Sequence, residues 1–198
     1  MNKHDQALLD AADRGDATAV RAALAAGADT EVRDAHGRTP LLLCSLGDRV
    51  EAARVLVTAG ADPNAQDERD ESPWLATGVT GSVAMMRVLL AAGPDLELRN
   101  RFGGIALIPA SERGHVDYVR ALLRETDIDV DHVNRLGWTA LLEAVILGDG
   151  GRAHQEIAEL LITAGATVDL PDRDGVTALE HAERRGFTRI ADLLKSAG

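Results

Sequence analysis

Residues 34–66 read DAHGRTPLLLCSLGDRVEAARVLVTAGADPNAQ, and this stretch carries the signals on which the fold prediction depends. It starts with a turn residue and a glycine and continues with Thr39-Pro40 and a short apolar run. A second apolar segment follows and ends near Gly60. A glycine supplies the positive φ that a tight turn needs, and Thr followed by Pro is typical of a helix start. The stretch therefore predicts a turn followed by two short helices.

The same signals return along the chain at a nearly fixed interval. The turn residues are separated by 33, 33, 34 and 38 positions: Asp34, Asp67, Asn100, Asn134 and Asp172. Each predicted helix has only about ten residues, which is too short for stability alone in water. A period of this size indicates stacked units that bury their apolar faces against their neighbours.

The recurring pattern Asp-x-x-Gly-x-Thr-Pro-Leu, followed by a helix and then by Leu-Leu and Gly-Ala-Asp, resembles the ankyrin repeat, here of the stand-alone bacterial type. The resemblance covers nearly the whole chain and implies an all-α solenoid of stacked helix-turn-helix units with short turns or hairpins. The implied organisation is a single ankyrin-repeat domain (1–198) with an N-terminal capping helix pair (1–33), repeats 1 to 4 (34–66, 67–99, 100–133 and 134–171) and a C-terminal capping repeat (172–198).

The period is broken twice, and both breaks are small. Repeat 3 has one extra residue within 126–133, where the usual glycine turn is missing. Repeat 4 has five extra residues near 148–155, which we interpret as a loop insertion between its two helices. Repeat 2 is expected to be the weakest helix former, because Gly78 and Gly81 lie inside or beside its first helix.

Composition excludes several classes of function. A net charge of −11 argues against nucleic acid as a partner, because phosphate binding needs a basic surface. The single cysteine, Cys44, cannot form an internal disulfide and favours a reducing compartment. No apolar stretch resembles a signal peptide or a membrane span, so we expect a cytoplasmic protein that does not bind membranes.

No arrangement of residues predicts catalysis, a metal site or a cofactor. The six histidines form no metal-type pair on one helix face, and the glycines at 148–151 lack the Lys-Ser/Thr of a phosphate-binding loop. Cys44 is expected to be a small buried core residue. Four arginines one period apart (Arg21, Arg54, Arg87 and Arg120) are interpreted as a solvated face with local ion pairs, although a binding stripe is the alternative. The chain is therefore not expected to be an enzyme.

The resemblance implies which positions face a concave groove: the turn tips, the residue before the Thr, and the end of each first helix. This set holds eight arginines and four acids, and its apolar members are concentrated in repeats 3 and 4. Aromatic and aliphatic residues beside arginines are typical of interface hot spots. The predicted protein-binding residues are Arg69, Arg101, Phe102, Arg113, Arg135, Leu136, Trp138, Ile146 and Leu147. The alternative for Ile146 and Leu147 is that the insertion folds over them.

Two functions follow from these expectations. The first is a non-catalytic interaction module, an adaptor or scaffold, that binds another protein in its groove as a monomer. The alternative is an inhibitor or immunity-type protein that masks a toxin or enzyme. The overall charge of −11 suits this alternative when the target is basic, whereas the arginines of the groove do not.

Overall fold

The computed structural model describes residues 2–198, and this part of the chain contains helices and turns but no strands. The chain divides into two compact units, unit 1 (Met1–Arg101) and unit 2 (Phe102–Gly198). The helices are α1 (Lys3–Arg14), α2 (Ala17–Ala25), α3 (Pro40–Leu46), α4 (Val50–Thr58), α5 (Pro73–Thr80), α6 (Val83–Leu90), α7 (Leu107–Glu112), α8 (Val116–Glu125), α9 (Ala140–Ile146), α10 (Arg152–Thr163), α11 (Ala178–Arg184) and α12 (Thr188–Ala197). The all-helical fold class is thereby confirmed, whereas the repeat boundaries stay a prediction.

Within each unit, the first helix of a repeat packs on the first helices of its neighbours, and the second helices pack on one another in the same way. In unit 1, α3 packs between α1 and α5, and α4 packs between α2 and α6. In unit 2, α9 packs between α7 and α11, and α10 packs between α8 and α12. The core is built mainly from alanine and leucine, with Leu42 and Leu56 fully buried in unit 1 and Leu161 fully buried in unit 2. Burying these apolar faces against neighbours stabilises helices that would not persist alone.

Hydroxyl side chains fix the start of most first helices. The Oγ1 atom of Thr39 accepts the backbone N–H of Leu42 at 3.2 Å, and Ser72 and Thr139 cap α5 and α9 in the same way. Helix α7 has no side-chain cap at Ala106 and is only six residues long. Repeat 2 is expected to be the weakest helix former, yet its α5 extends over eight residues with Gly78 buried inside it. Tertiary packing outweighs the low helix propensity of glycine there.

Four of the five turns are each held by one carboxylate or amide oxygen. The Oδ1 atom of Asp34 accepts the N–H groups of His36 and Arg38, at 2.8 and 2.9 Å. Asp67, Asn134 and Asp172 bind the residues two and four positions later in the same manner. A side chain that binds its own turn leaves the two tip residues free to point outward.

In unit 1, side chains also link neighbouring turns edge to edge. The Nη1 atom of Arg33 donates to the carbonyl oxygens of Gly37 and Gln66, at 2.7 and 2.6 Å. One period later, Nε2 of Gln66 donates to the carbonyl oxygens of Asp70 and Arg99, at 2.9 and 2.8 Å. Each link spans one repeat and fixes the register of two turns.

None of the helices in residues 2–198 combines the length and apolar character that crossing a membrane requires.

Candidate binding surface

The turn of repeat 4 presents two side chains at its tip. The Oδ1 atom of Asn134 accepts the N–H groups of Leu136 and Trp138, at 2.9 and 3.1 Å, and the Asn134 N–H donates to the Trp138 carbonyl at 3.0 Å. The tip residues Arg135 and Leu136 consequently point outward, and Leu136 is 45% exposed. Phe102, at the equivalent tip position of repeat 3, is 51% exposed.

The turn tips of unit 2 are packed side by side. The Arg135 N–H donates to the Phe102 carbonyl at 2.8 Å. A Cβ atom placed on Gly103 would lie 2.7 Å from Cγ of Arg135, and one placed on Gly137 would lie 2.5 Å from Cγ of Arg173. The aliphatic stems of both arginines therefore lie across the glycine of the preceding turn, where only a residue without a side chain leaves room.

The end of α9 adds further apolar area next to this turn. Leu147 is 50% exposed, whereas Ile146 and Trp138 are half-buried. The Nδ2 atom of Asn134 donates to Oε1 of Glu143 at 2.7 Å, which ties the turn to α9 one helical turn before Leu147. The turn and the helix that leads to Leu147 are therefore held together.

The structure distributes the predicted binding residues over both units. Arg69 and Arg101 belong to unit 1 and are exposed. The other seven belong to unit 2, where Phe102, Arg113, Arg135, Leu136 and Leu147 are exposed and Trp138 and Ile146 are half-buried.

One exposed residue, Val133, is absent from the sequence prediction, and it is 51% exposed directly before Asn134. The sequence feature that could have indicated its exposure is its place directly before a turn residue. Arg173 and Arg184 also lie at positions that the resemblance assigns to a groove, although they lie outside the predicted set. We call the following residues the unit 2 surface: Phe102, Arg113, Val133, Arg135, Leu136, Trp138, Ile146, Leu147, Arg173 and Arg184.

Three arginines of the unit 2 surface differ from two arginines on the second helices α4 and α8. The guanidinium groups of Arg113, Arg173 and Arg184 form no hydrogen bond or ion pair within residues 2–198. By contrast, Arg54 on α4 pairs with Glu51 at 3.4 Å. Arg120 on α8 likewise pairs with Asp117, at 2.6 Å. The interpretation of this periodic arginine row as local ion pairs therefore holds at both of these positions.

A buried carboxyl group lies beneath this surface. Glu143 is 6% exposed, and burial raises its pKa to about 7, with a further contribution from the nearby Glu112 carboxylate. The amide of Asn134 opposes this rise by donating to the Glu143 carboxylate. Within residues 2–198, no group of three histidine, cysteine or acidic side chains is placed to hold a metal ion.

The insertion of repeat 4 leaves Leu147 50% exposed, whereas Ile146 is half-buried. His154 holds the insertion through both of its ring nitrogens. Nε2 of His154 lies 2.9 Å from the carbonyl oxygen of Glu112, and Nδ1 lies 2.8 Å from Oδ1 of Asp149. The pKa of Asp149 is lowered, chiefly by the N–H of Gly151 and also by His154. The last residues of the insertion are helical, since α10 begins at Arg152.

The C-terminal capping repeat (172–198), which we call repeat 5, completes this contact. Arg185 donates to the carbonyl oxygens of Ile146 and Gly148, the latter at 2.9 Å, and its guanidinium carbon lies 4.6 Å from the centre of the Phe187 ring. A Cβ atom on Gly150 would overlap the Phe187 ring. We call Glu112, Gly148, Asp149, Gly150, His154, Arg185 and Phe187 the clasp. It fixes the helix ends that carry Ile146 and Leu147.

Cys44 takes no part in any exposed site. It is fully buried, its Sγ lies 3.5 Å from the Ala12 carbonyl oxygen, and burial raises its pKa to about 12. A thiol with such a pKa is almost entirely protonated at neutral pH and is a poor nucleophile. The expected core role is therefore supported.

Comparison with known proteins identifies the repeat pattern. A family model described as "Ankyrin repeats (3 copies)" matches residues 1–67 and 74–172. YahD, an ankyrin repeat protein of Escherichia coli (strain K12), is 43% identical over 190 residues, which are 96% of this chain and 94% of YahD. Among solved structures, an ankyrin repeat domain from Acinetobacter baumannii AYE is 45% identical with a TM-score of 0.92, covering 96% of this chain and 97% of that one. The ankyrin repeat protein EF0377 is 38% identical with a TM-score of 0.92 and the same coverage.

Proposed function

This chain belongs to the ankyrin repeat family, whose repeats generally mediate protein–protein interactions, and on that basis we propose that it is a non-catalytic module that docks a partner protein on the unit 2 surface. Ankyrin repeats are generally an interaction fold without catalytic activity. The proposal adds to this general role a specific place on the molecule and specific roles for its residues.

The observation that carries the proposal is the exposure of apolar side chains. Of the five large hydrophobic residues exposed in residues 2–198, four lie in unit 2: Phe102, Val133, Leu136 and Leu147. All four belong to turns or to the end of a first helix. Exposed apolar residues that are grouped beside polar residues mark interaction sites more often than scattered ones do.

The proposed roles follow from side-chain chemistry. Phe102, Leu136 and Trp138 are apolar anchors, with Ile146 and Leu147 extending the same contact. Arg113 and Arg135 pair with carboxylates of the partner, because guanidinium–carboxylate hydrogen bonds are strong and directional. Arg69 and Arg101 of unit 1 are predicted to form similar pairs.

Docking on the unit 2 surface needs little rearrangement of this chain. The clasp and the Asn134 turn already hold the apolar residues in place, and a preformed surface loses little conformational entropy on binding. We further propose that the chain acts as a monomer in the cytoplasm. The matched relatives are described only as ankyrin repeat proteins or domains, so they give no support to the inhibitor alternative.

Replacing Trp138 with Ala tests the location of the site. A partner is first isolated by affinity purification and identified by mass spectrometry, and its affinity is then measured by isothermal titration calorimetry. We expect Trp138→Ala to weaken binding by roughly 30-fold or more, as hot-spot truncations cost about 2 kcal/mol or more.

Leu46→Ala is the matched control, because Leu46 is 40% exposed at the end of a first helix of unit 1. Its affinity should stay within about twofold of the wild type, since most interface residues outside hot spots contribute little. Thermal melting of both variants confirms that they are folded. Unchanged affinity of folded Trp138→Ala would remove the anchor role of this residue.

A further inference from the structure

The unit 2 surface places arginines and apolar residues in alternation. Arg113 caps the end of α7, Leu147 caps the end of α9, and Arg184 is the last residue of α11. Because α9 packs between α7 and α11, the apolar helix end lies between two arginines.

The turn tips also combine arginines with an apolar side chain. Arg135 and Arg173 lie across the glycines of the preceding turns, and the exposed side chain of Leu136 follows Arg135 in the chain. Two parallel rows, one of turn tips and one of helix ends, therefore combine positive charge with apolar area.

Three of the four arginines in these rows are not neutralised by the protein itself. Arg113, Arg173 and Arg184 have no hydrogen-bonded or ion-paired partner within residues 2–198. The whole chain carries a net charge of −11, so this concentration of arginine runs against its overall composition. The acids adjacent to these arginines in sequence are Glu112, Asp172, Asp174 and Glu183, and none of them forms an ion pair with these arginines. Guanidinium groups held beside exposed apolar residues are complementary to carboxylates that are themselves close to apolar side chains.

We propose that the partner binds the unit 2 surface through an extended acidic segment, whose apolar side chains contact Leu136 and Leu147 and whose carboxylates pair with Arg113 and Arg184. This inference rests on the protein-binding function proposed above and names the chemistry of the partner. It requires one contiguous segment of a protein rather than a folded surface.

The stacking of the helices sets the spacing within that segment. Arg113 and Arg184 are separated by two helix-to-helix steps, or about 18 Å at the usual packing distance. An extended chain advances about 3.3 Å per residue, so the two carboxylates should be about five or six residues apart. Apolar residues of the segment lie between them, opposite α9.

Selection from a random library of linear 12-residue peptides displayed on phage tests this inference directly. The immobilised full chain is the target, and selected peptides are synthesised and measured by fluorescence anisotropy. We expect peptides with net negative charge and an apolar centre between two acidic residues. Raising the salt concentration should weaken their binding, since the contribution of exposed charge pairs is screened.

Arg113→Glu/Arg184→Glu is the test variant. Each reversed arginine should lower the affinity of the selected peptides by roughly tenfold or more, the effect of losing one charge-assisted hydrogen bond. Arg152→Glu/Arg189→Glu changes the net charge equally at two exposed arginines on α10 and α12 that also lack partners within residues 2–198, so it should preserve the affinity.

The outcomes separate this inference from the proposed function. Selected peptides that lose binding to Leu136→Ala locate the docking surface. If these peptides carry no excess of acidic residues, or if they bind Arg113→Glu/Arg184→Glu normally, the acidic segment is overturned and the docking surface stands. A selection in which no peptide depends on Leu136 or Leu147 overturns the acidic segment, whereas the proposed function fails only when folded Trp138→Ala binds the isolated partner normally. Equal weakening by the two double variants shows a general charge effect and also overturns the inference.

Discussion

The turns of unit 1 and unit 2 have the same backbone but carry side chains of opposite character. In unit 1, Glu68 lies across Gly37, with its Cγ 3.2 Å from the position of a Cβ atom, whereas in unit 2 Arg135 lies across Gly103. The next tip position holds Arg69 in repeat 2, but Leu136 in repeat 4. The side-chain oxygens of Asp67 and Asn134 hold both turns through equivalent hydrogen bonds.

This difference shows which residues the fold requires and which it leaves free. The turn needs an acceptor at its first position, and a glycine is favoured three positions later, but the two tip residues between them take no part in the core. An acid in one unit and an arginine in the other satisfy the same fold. The fold therefore does not dictate the side chains at the tips, and under the proposed function they serve binding.

The first helices differ in a second way. Position nine after the turn residue is apolar in both complete repeats of unit 1, where Leu43 and Ala76 are buried. Repeat 4 has Glu143 there, and repeat 5 has His181, whose Nε2 lies 2.7 Å from Oδ2 of Asp172. Unit 2 consequently contains ionisable side chains at a position of the first helix that is apolar in unit 1.

Removing the buried charge of unit 2 should have the largest effect on stability. The folded state binds the Glu143 proton more tightly than the unfolded chain does, so the free energy of unfolding falls as the pH rises from about 4.5 to about 7 and stays lowered above this range. Glu143→Gln retains an oxygen that can accept from Asn134. We expect this variant to be more stable than the wild type by up to about 3 kcal/mol at pH 8 and equally stable at pH 4.

Urea unfolding of both proteins between pH 4 and pH 8 measures this difference. Leu43→Met serves as the control at the equivalent position of unit 1, because it brings no ionisable group and should shift stability equally at every pH. A constant difference between Glu143→Gln and the wild type across this range would show that the pKa of Glu143 is not raised.

The clasp provides a second test of the difference between the two units. A Cβ atom on Gly148 would overlap the carbonyl oxygen of Ala144 and lie 2.5 Å from Cδ2 of His154. Gly148→Ala should therefore lower the free energy of unfolding by about 2 kcal/mol, as overpacking in fixed surroundings does. Urea unfolding followed by circular dichroism measures this loss.

Gly47→Ala is the corresponding change at a helix end of unit 1. Its Cβ atom would approach the side chain of Arg49 at 3.1 Å, and an exposed arginine can move. This variant should differ from the wild type by less than about 0.5 kcal/mol, as most exposed substitutions do. Equal losses in Gly148→Ala and Gly47→Ala would mean that the clasp is no more rigid than an ordinary turn.

The smallest expected effect concerns a strained turn of unit 1. Asp70 has a φ of 57° at the position where the other four turns have glycine. Asp70→Gly relieves this strain but adds entropy to the unfolded chain, so we expect a gain of about 0.5 kcal/mol. Thermal melting of the reciprocal variant Gly103→Asp should show a clear loss, because Arg135 occupies the space beside Gly103. A gain from the reciprocal change would contradict the role of Gly103.

The periodic features of this chain could be predicted from sequence because they depend on neighbours a few residues away. The caps at Thr39 and Thr139 and the turn at Asn134 are local hydrogen bonds, so their residues mark them directly. The exposure of Phe102 and Leu136 also followed from their tip positions.

The other features depend on contacts between distant residues. His154 meets a carbonyl oxygen 42 positions earlier, and Arg185 meets one 39 positions earlier, so no local pattern indicates them. The raised pKa of Glu143 arises from burial, which a sequence shows only when the packing of α9 against its neighbours is known. Val133 was missed for a simpler reason, since a lone valine is usually part of a core.

The clasp also limits how unit 2 can be rebuilt. It joins Glu112 of repeat 3, His154 of repeat 4 and Arg185 of repeat 5 across the insertion of repeat 4, which no other repeat has, whereas the Arg33 and Gln66 links recur one period apart. A segment whose contacts with its neighbours recur in each repeat can be duplicated or deleted as a cassette. Repeat 4 cannot, because its neighbours lack the insertion through which it contacts them. Gene duplication or protein engineering that lengthens this array should therefore succeed within 34–99 and fail within 134–171.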